Sequence, residues 1–361
     1  MPFSIVVLGS GVIGLSTANE LLKRFGNSVN VVIFTAEKIL NTTSVLSGAA
    51  WTPGFGIQPI DKVREWSHTS LYYFRELSKE HPTCGVRVRS GYQFGKDPKE
   101  RITPPQEQVD YEYNKHCNMK LITPENDTDG MLKNTIYDHA YKYDAVGFDM
   151  VHLLKFLEKQ FFKLGGQDIK LKKVNNVEKD IFQQYPNVDL VVNCTGMGSR
   201  ELFNDIDMEP VRGQAILVQV PHHIGEDVQK KVSFYFDETE LENLTYILPR
   251  NEGRYVLGGT FDKNITHTRV LSHVANSILD RCDKMVPSLK LHDAKIIEHW
   301  VGLRPFRKSG VRVGLDLSFS KPIIHNYGHG GSGVTVSYGT AVEVVQIAEG
   351  LIKSKTQKSK L

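Results

Sequence analysis

The hydrophobic and polar positions near the start of the chain predict a strand, a helix and a second strand. An apolar run, Ile5 to Leu8, is typical of a buried parallel strand. After a short turn, apolar residues recur with the period of a helix at Val12, Leu15, Ala18, Leu21 and Leu22. The segment SVNVVIF then becomes continuously apolar and ends at Phe34. We therefore predict that the chain begins with a βαβ unit of a parallel sheet.

Later segments alternate between helical and strand patterns. Helices are predicted around VREWSHTSLYYFRELSKE, in DMVHLLKFLEKQFFKLG and near residues 270 to 285. The segments DIKLKKVNNV and VDLVVNCTG are typical of strands that return to the first sheet. In EPVRGQAILVQV, LTYILPR and GRYVLGGTFD the pattern has period 2 with no helix between the segments, which indicates an antiparallel sheet. The polar and small residues of NTTSVLSGAAWTPGFG predict a loop.

Glycines occupy the turn between the first strand and the first helix. Gly9, Gly11 and Gly14 have the spacing G-x-G-x-x-G. In this motif the first glycine permits a tight turn, the second lets a pyrophosphate approach the backbone, and the third lets helix and strand pack closely. The N-terminus of the helix then offers unpaired N–H groups to an anion. The motif alone does not separate NAD from FAD.

A second glycine turn lies near the end of the chain. The segment IIHNYGHGGSGVTVSYGTAVEVVQIAEGLI predicts a strand, a turn with Gly328, Gly330, Gly331 and Gly333, and a helix. Two such turns can enclose one long anionic ligand, which favours FAD over NAD. We predict an α/β fold in which a Rossmann-like nucleotide-binding domain (residues 1–60, 150–215 and 299–361) is interleaved with an antiparallel-sheet domain (residues 61–149 and 216–298).

The composition narrows the function further. The 361 residues carry 44 basic and 41 acidic side chains, a net charge of +3, so nucleic acid is not an expected partner. The cysteines are far apart and form no C-x-x-C pair, which argues against a zinc site or a disulfide framework, and we expect no metal. The first residues resemble neither a signal peptide nor a membrane span, so no membrane partner is expected. The oligomeric state is left open, a homodimer included.

The last residues, Ser359, Lys360 and Leu361, predict a location. A C-terminal Ser-Lys-Leu is an address read by the peroxisomal import receptor, so we expect the protein in the peroxisomal matrix. The alternative is a solvated basic tail.

Six motifs together carry a family resemblance. In this order and at these intervals, VVLGSGVIGLSTA, VVNCTGMGSR, PVRGQ, LTYILPR, VGLRPFR and HNYGHGGSG resemble the D-amino-acid oxidase family, which includes D-aspartate oxidases. The resemblance runs from end to end of the chain. It implies that the first domain binds FAD and the second binds substrate. It also implies hydride transfer from a D-amino acid to the flavin, with O2 becoming H2O2 and the product becoming a 2-oxo acid and ammonia.

The resemblance also implies the residues that contact FAD. They lie in the first glycine turn, in the loop after the second strand, beside the adenine and in the last glycine turn. These residues are Gly9, Gly11, Val12, Ile13, Gly14, Thr42, Thr43, Gly48, Ala49, Ala50, Val174, Arg304, Gly330, Gly331, Ser332, Gly333, Val334 and Thr335. Where the family usually has Asp for the ribose, this chain has Ala36, and Glu37 is the acidic candidate with a shift of one residue.

The same resemblance implies that Arg304 and Tyr246 bind the substrate and act in catalysis, and that Gly331 and Phe261 also line the substrate site. A guanidinium offers a planar two-donor fork to the α-carboxylate, and a phenol adds a further hydrogen bond without charge. Without the family, an ion-paired arginine and a packed core tyrosine are the simpler interpretations.

Phe261 separates the two branches of the family. D-aspartate oxidases usually carry Arg directly after GGT, where this chain has Phe261. A phenyl ring favours a neutral D-side chain, because burial of an unpaired carboxylate beside it is costly. We therefore predict oxidation of neutral D-amino acids. D-aspartate oxidase remains the alternative, and a non-catalytic flavin- or nucleotide-binding protein and an NAD dehydrogenase are the remoter ones.

Overall fold

The computed structural model describes residues 2–52, 57–95, 117–128, 130–221, 234–237, 244–250 and 253–358. The predicted peroxisomal address, residues 359–361, lies outside the described residues, and so does part of the loop predicted after the second strand, residues 53–56.

Helices and strands alternate in the first part of the chain and in its last part. The longer helices are α1 (Val12–Phe25), α2 (Ile60–Glu80), α3 (Met150–Lys163), α4 (Ser272–Met285) and α5 (Gly333–Lys358). Short helical turns occupy Gly26–Ser28, Ile39–Asn41, Thr43–Leu46, Glu178–Gln183, Gly196–Gly198, Ser199–Leu202, Pro287–Leu289, Leu291–Asp293 and Gly330–Ser332. The strands are β1 (Phe3–Leu8), β2 (Val29–Thr35), β3 (Val86–Gly95), β4 (Lys120–Ile122), β5 (His139–Phe148), β6 (Asp168–Leu171), β7 (Leu190–Asn193), β8 (Met208–Gln219), β9 (Phe234–Asp237), β10 (Thr245–Pro249), β11 (Arg254–Gly258), β12 (Asp262–Lys263), β13 (Lys295–Arg307), β14 (Arg312–Asp316) and β15 (Ile323–Tyr327).

The first sheet has the order β14-β15-β7-β1-β2-β6 and is parallel except for β14. Its central strand β1 is almost completely buried, which explains the continuous apolar run in the sequence. Because β1, β7 and β15 are parallel, their carboxyl ends lie at one edge of this sheet, where ligands bind in parallel α/β folds. Helix α1 packs against α3 and α5.

The second sheet is largely antiparallel and has the order β12-β8-β11-β10-β9-β3-β5-β4, with β13 also paired to β8. The pair formed by β3 and β9 is parallel. Helix α4 covers one face, where Ile278 and Cys282 pack with Ile247 and Leu257 of β10 and β11. The predicted α/β fold class, with a Rossmann-like parallel sheet and an antiparallel sheet, is confirmed.

Two of the predicted domain boundaries cut through strands of the second sheet. Strand β8 extends from Met208 to Gln219 and β13 from Lys295 to Arg307, and both lie in the second sheet, as the period-2 pattern of EPVRGQAILVQV indicates for β8. The division into domains stays a prediction.

Within the described ranges, none of the helices has the length and apolar character needed to span a membrane. The same residues contain no group of three or more His, Cys, Asp or Glu side chains arranged to hold a metal ion. The four cysteines, Cys84, Cys117, Cys194 and Cys282, are buried.

Candidate active site and cofactor site

A cavity of about 750 Å³ is lined by residues from both sheets. This volume lies in the range of sites for cofactors and small ligands. Its wall includes all but one of the residues predicted to bind cofactor or substrate; the exception is Gly14. The site is therefore built where the edge of the parallel sheet meets the antiparallel sheet.

The first glycine turn places backbone directly against the cavity. Gly9 has φ +105°, and a Cβ there would lie 2.5 Å from the carbonyl oxygen of Cys194. A Cβ on Gly14 would lie only 1.9 Å from the carbonyl oxygen of Gly9. Gly14 therefore acts behind the wall, because its missing side chain lets α1 begin tightly against the turn.

The N-terminus of α1 faces the cavity at Gly11, Val12 and Ile13. The first turn of the helix contains no acidic residue. The backbone N–H of Val12 donates to Ser44 Oγ at 3.0 Å, so the loop after β2 lies across the start of the helix. Ser44 also lines the cavity but was not predicted as a site residue. Nothing in its local sequence distinguishes it from its polar neighbours Thr42 and Thr43.

The second glycine turn brings the N-terminus of α5 to the same cavity. Gly330, Gly331, Ser332, Gly333, Val334 and Thr335 all line it. His329 Nε2 lies 3.1 Å from Asn326 Oδ1, and Asn326 Nδ2 donates to Thr17 Oγ1 of α1 at 3.1 Å. Burial lowers the pKa of His329 to about 3, so this ring is neutral at pH 7. Two helix N-termini thus face one space, an arrangement that suits a long anionic ligand.

The loop between β2 and α2 is held against both sheets. Thr42, Thr43, Gly48, Ala49 and Ala50 line the cavity, as predicted. The backbone N–H of Phe148 on β5 donates to the carbonyl of Ala49 at 3.0 Å. Arg250 Nη2 donates to the carbonyl of Gly48 at 2.8 Å.

The opposite end of the cavity carries the predicted adenine and ribose contacts. Val174 lines it, and so do Ala36 and Glu37. Thr35 Oγ1 donates to the carbonyl of Glu37 at 2.8 Å and lies 2.7 Å from Ser10 Oγ, which fixes the backbone of this turn. Glu37 is exposed. Its role toward the ribose stays a prediction.

Arg304 projects from β13 into the cavity wall. Its Nη1 donates to the carbonyl of Thr260 at 2.9 Å and to that of Arg212 at 3.3 Å. No carboxylate of the described residues forms an ion pair with it. Burial lowers the pKa of Arg304, but a guanidinium keeps its proton. Arg304 is half-buried and faces the cavity, and partial burial of a cation without an anionic partner is costly, so this position fits an anionic ligand.

Tyr246 lies on β10 beside Gly258 and Gly259. A Cβ on Gly258 or Gly259 would lie 2.2 Å or 2.8 Å from Tyr246 Oη, so these glycines leave room for the phenol. Burial raises the pKa of Tyr246, so its hydroxyl stays protonated and able to donate. The hydroxyl has no hydrogen bond to any residue that the structure describes.

Phe261 and its neighbours make the rest of this wall apolar. The ring centroid of Phe261 lies 5.6 Å from Arg304 Cζ and 5.6 Å from the ring centroid of Phe306. Further apolar side chains, none of them predicted, come from Phe236, Leu244, Leu248 and Trp300. Among the charged residues that line the described cavity, only Arg304 belongs to the second sheet; the others are Glu37, Lys172, Lys173, Arg200 and Glu201.

Comparisons with known proteins define the class. A family model described as FAD dependent oxidoreductase matches residues 4–347. The chain is 34% identical over 346 residues to a D-amino-acid oxidase of Rubrobacter xylanophilus, with 95% of each chain covered. It is 30% identical over 355 residues to a D-aspartate oxidase of Homo sapiens, with 95% of this chain and 94% of that protein covered. A solved structure of glycine oxidase from Bacillus cereus is 20% identical with a TM-score of 0.76, over 96% of this chain and 95% of that one, and shows the fold alone.

These matches define an FAD-dependent oxidoreductase. The chain belongs to the D-amino-acid oxidase family, which confirms the resemblance of its motifs. FAD is its cofactor. The two glycine turns fit this cofactor, because both bring a helix N-terminus to the cavity and helix N-termini favour negatively charged groups.

Gly14→Ala tests the first glycine turn. The new Cβ would lie 1.9 Å from a backbone oxygen, which cannot swing away, so α1 must move from the turn. We expect FAD affinity to fall at least about tenfold and stability by about 1 to 3 kcal/mol. Titration of the apoprotein with FAD and thermal unfolding measure both. Gly350→Ala in α5 is the control, since a Cβ there meets nothing within 4 Å. Unchanged FAD affinity in Gly14→Ala would refute this role.

Proposed function

We propose that the protein oxidises neutral D-amino acids to 2-oxo acids, ammonia and H2O2. The observation that carries this proposal is the guanidinium of Arg304, a half-buried cation with no carboxylate within ion-pair distance among the described residues, set in an otherwise apolar wall. An α-carboxylate supplies the missing anion, and the apolar wall accommodates a neutral side chain.

The residues of the wall orient the substrate. Arg304 binds the α-carboxylate through two parallel hydrogen bonds, and the Tyr246 hydroxyl donates a third. FAD supplies the acceptor for the Cα hydrogen and its electron pair and passes the electrons to O2. Because the hydrogen leaves as hydride, no strong base is required next to Cα. The chain contributes orientation and exclusion of water, which are large parts of catalysis in such reactions.

The same clamp explains a preference for D-enantiomers. With the carboxylate fixed on Arg304 and the side chain against the apolar wall, only one hand of the substrate directs Cα–H toward the cofactor. With the carboxylate and the side chain held in this way, the other hand directs its amino group there. The loss of hydride and of the amine proton leaves an imino acid, which water hydrolyses to the 2-oxo acid and ammonia.

Oxidation of acidic D-amino acids is the second candidate, and Arg250 favours it. Its guanidinium lies behind the wall, on the carbonyl of Gly48, and burial lowers its pKa to about 10. The described residues place no carboxylate within ion-pair distance of it. Arg250 does not line the cavity, however, whereas Phe261 does. The neutral class is therefore preferred.

Arg304→Leu tests the clamp. The loss of a charge-assisted bidentate contact should cost about 3 kcal/mol in transition-state binding, roughly 150-fold in kcat/KM. FAD content should stay near that of the wild type. Arg24→Leu, which removes an exposed arginine paired with Glu349 on the surface, is the matched control. A decrease of less than about tenfold in kcat/KM would show that Arg304 does not hold the substrate.

Phe261→Arg tests the choice of substrate class. A guanidinium at this position would pair with a second carboxylate, so the ratio of kcat/KM for D-aspartate to that for D-methionine should rise by about 1 to 3 kcal/mol in free energy. Phe261→Leu is the control, since it removes the ring without adding charge. Peroxide release with D-alanine, D-methionine and D-aspartate measures the ratio. A wild type that already strongly prefers D-aspartate would contradict the neutral class and favour Arg250.

For a chain that ends at Leu361, we also propose import into the peroxisome through Ser359, Lys360 and Leu361. The bacterial relative has no such compartment, so the proposal rests on this tripeptide alone. A protein labelled at its N-terminus should colocalise with a peroxisomal marker, and removal of the three residues should disperse it without a change in activity. Identical distributions of the two forms would refute the address.

A further inference from the structure

The motif PVRGQ lies on β8, opposite the part of β13 that carries Arg304. In the antiparallel register, Val211 pairs with Arg304 and Gly213 with Gly302. The guanidinium of Arg304 extends along β8 as far as Gly213. The proposed function uses Arg304 itself but gives no role to this motif.

Gly213 leaves the space that the guanidinium fills. A Cβ on Gly213 would lie 2.5 Å from Nη1, 2.6 Å from Cζ and 2.7 Å from Nη2 of Arg304. Gly213 is not among the glycines with positive φ, so its backbone does not itself require glycine. The requirement comes from the contact with Arg304.

Backbone carbonyls then fix which edge of the guanidinium faces the cavity. Nη1 of Arg304 is occupied by the carbonyls of Thr260 and Arg212. Nε and Nη2 make no hydrogen bond to the residues described here. These two donors form one edge of the planar group, with the spacing that matches both oxygens of a carboxylate.

A buried ion pair holds the Thr260 segment in place. Arg212 is 0% exposed, and its Nη1 donates to Asp262 Oδ2 at 2.8 Å. Thr260 Oγ1 donates to the same oxygen at 3.1 Å and accepts the backbone N–H of Gln214 at 3.0 Å. Nη2 of Arg212 donates to Gln214 Oε1 at 2.6 Å and to the carbonyl of Arg269 at 2.7 Å. The carbonyl of Thr260 therefore has little freedom to move away from Arg304.

We propose that Gly213 and the pair Arg212–Asp262 are positioning residues, which present the Nε–Nη2 edge of Arg304 to the substrate. The proposal rests on the proposed function in one respect, namely that the ligand of this edge is a carboxylate. Gly213 acts by the space it leaves, and the ion pair acts through Thr260.

Gly213→Ala in the FAD-loaded protein is the direct test. The methyl group displaces the free end of a flexible side chain, so the fold and FAD content should persist while the guanidinium shifts. The probe is 3-phenylpropanoate, a carboxylate without an amino group, and its binding is followed by the change in flavin absorbance. We expect its Kd to rise at least about tenfold and the KM for D-phenylalanine to rise with it, at an unchanged Tm. Gly314→Ala is the control, because a Cβ on Gly314 of β14 meets nothing within 4 Å.

A double-mutant cycle separates positioning from a general structural effect. If Gly213 acts through Arg304, then Gly213→Ala should change the Kd less than about twofold when Arg304 is already Leu. Asp262→Asn keeps the shape of a side chain that is 34% exposed and removes its charge, so it should weaken probe binding several-fold without loss of FAD.

Specific results would overturn the proposal. A Kd in Gly213→Ala equal to that of the wild type would contradict the positioning role of Gly213. So would an equal loss of probe affinity with and without the Arg304 side chain. Neither result would contradict the oxidation of D-amino acids. If Gly213→Ala weakens carboxylate binding but the wild type oxidises no D-amino acid, the result would support the positioning role and contradict the proposed function. A wild type that binds no carboxylate would contradict both.

Discussion

The close approach of β13 to the second glycine turn is the constraint on which this site depends. Phe306 and His329 form an isolated bridge between the two segments. A Cβ on Gly331 would lie 3.6 Å from Arg304 Cδ, and one on Gly330 would lie 2.6 Å from Phe306 Cε2. The strand that carries Arg304 therefore lies directly against the second glycine turn. Both sheets contribute to the cavity wall, because the glycine turns adjoin the first sheet and Arg304 and Tyr246 lie on strands of the second.

Electrostatics divides the cavity into two parts with different tasks. Helix N-termini and lysines line the part next to the parallel sheet, where a pyrophosphate adds negative charge. The other part contains one cation, Arg304, among aromatic and aliphatic side chains. Partial burial of this cation costs free energy, which the two carbonyls and the Phe261 ring offset only partly. In the proposed function, the carboxylate of the substrate supplies the compensating negative charge.

Much of this site could be predicted from the sequence, since glycine spacing and local period are properties of short segments. The two turns, the apolar first strand and the position of Arg304 within VGLRPFR all depend on neighbours in the chain. The contacts that position the guanidinium of Arg304 do not depend on neighbours in the chain. Gly213 contacts Arg304 only because β8 and β13 pair. Thr260, in the connection between β11 and β12, accepts a hydrogen bond from Arg304 Nη1. For the same lack of pairing information, Trp300 and Phe236 could not be predicted as parts of the cavity wall. Gly14 has the close contact with the turn that its place in the motif predicts, although it does not itself line the cavity.

The most direct test of the account uses one amino acid in both hands. The FAD-loaded protein is mixed without oxygen with D-phenylalanine and, separately, with L-phenylalanine, and the visible absorbance of the oxidised flavin is followed. The account predicts rapid loss of this absorbance with the D-enantiomer, none with the L-enantiomer, and recovery with release of one H2O2 per 2-oxo acid when oxygen is admitted. Equal reduction by both enantiomers, or reduction by neither while other carboxylates still bind, would contradict a clamp that fixes the carboxylate and directs Cα–H toward the flavin.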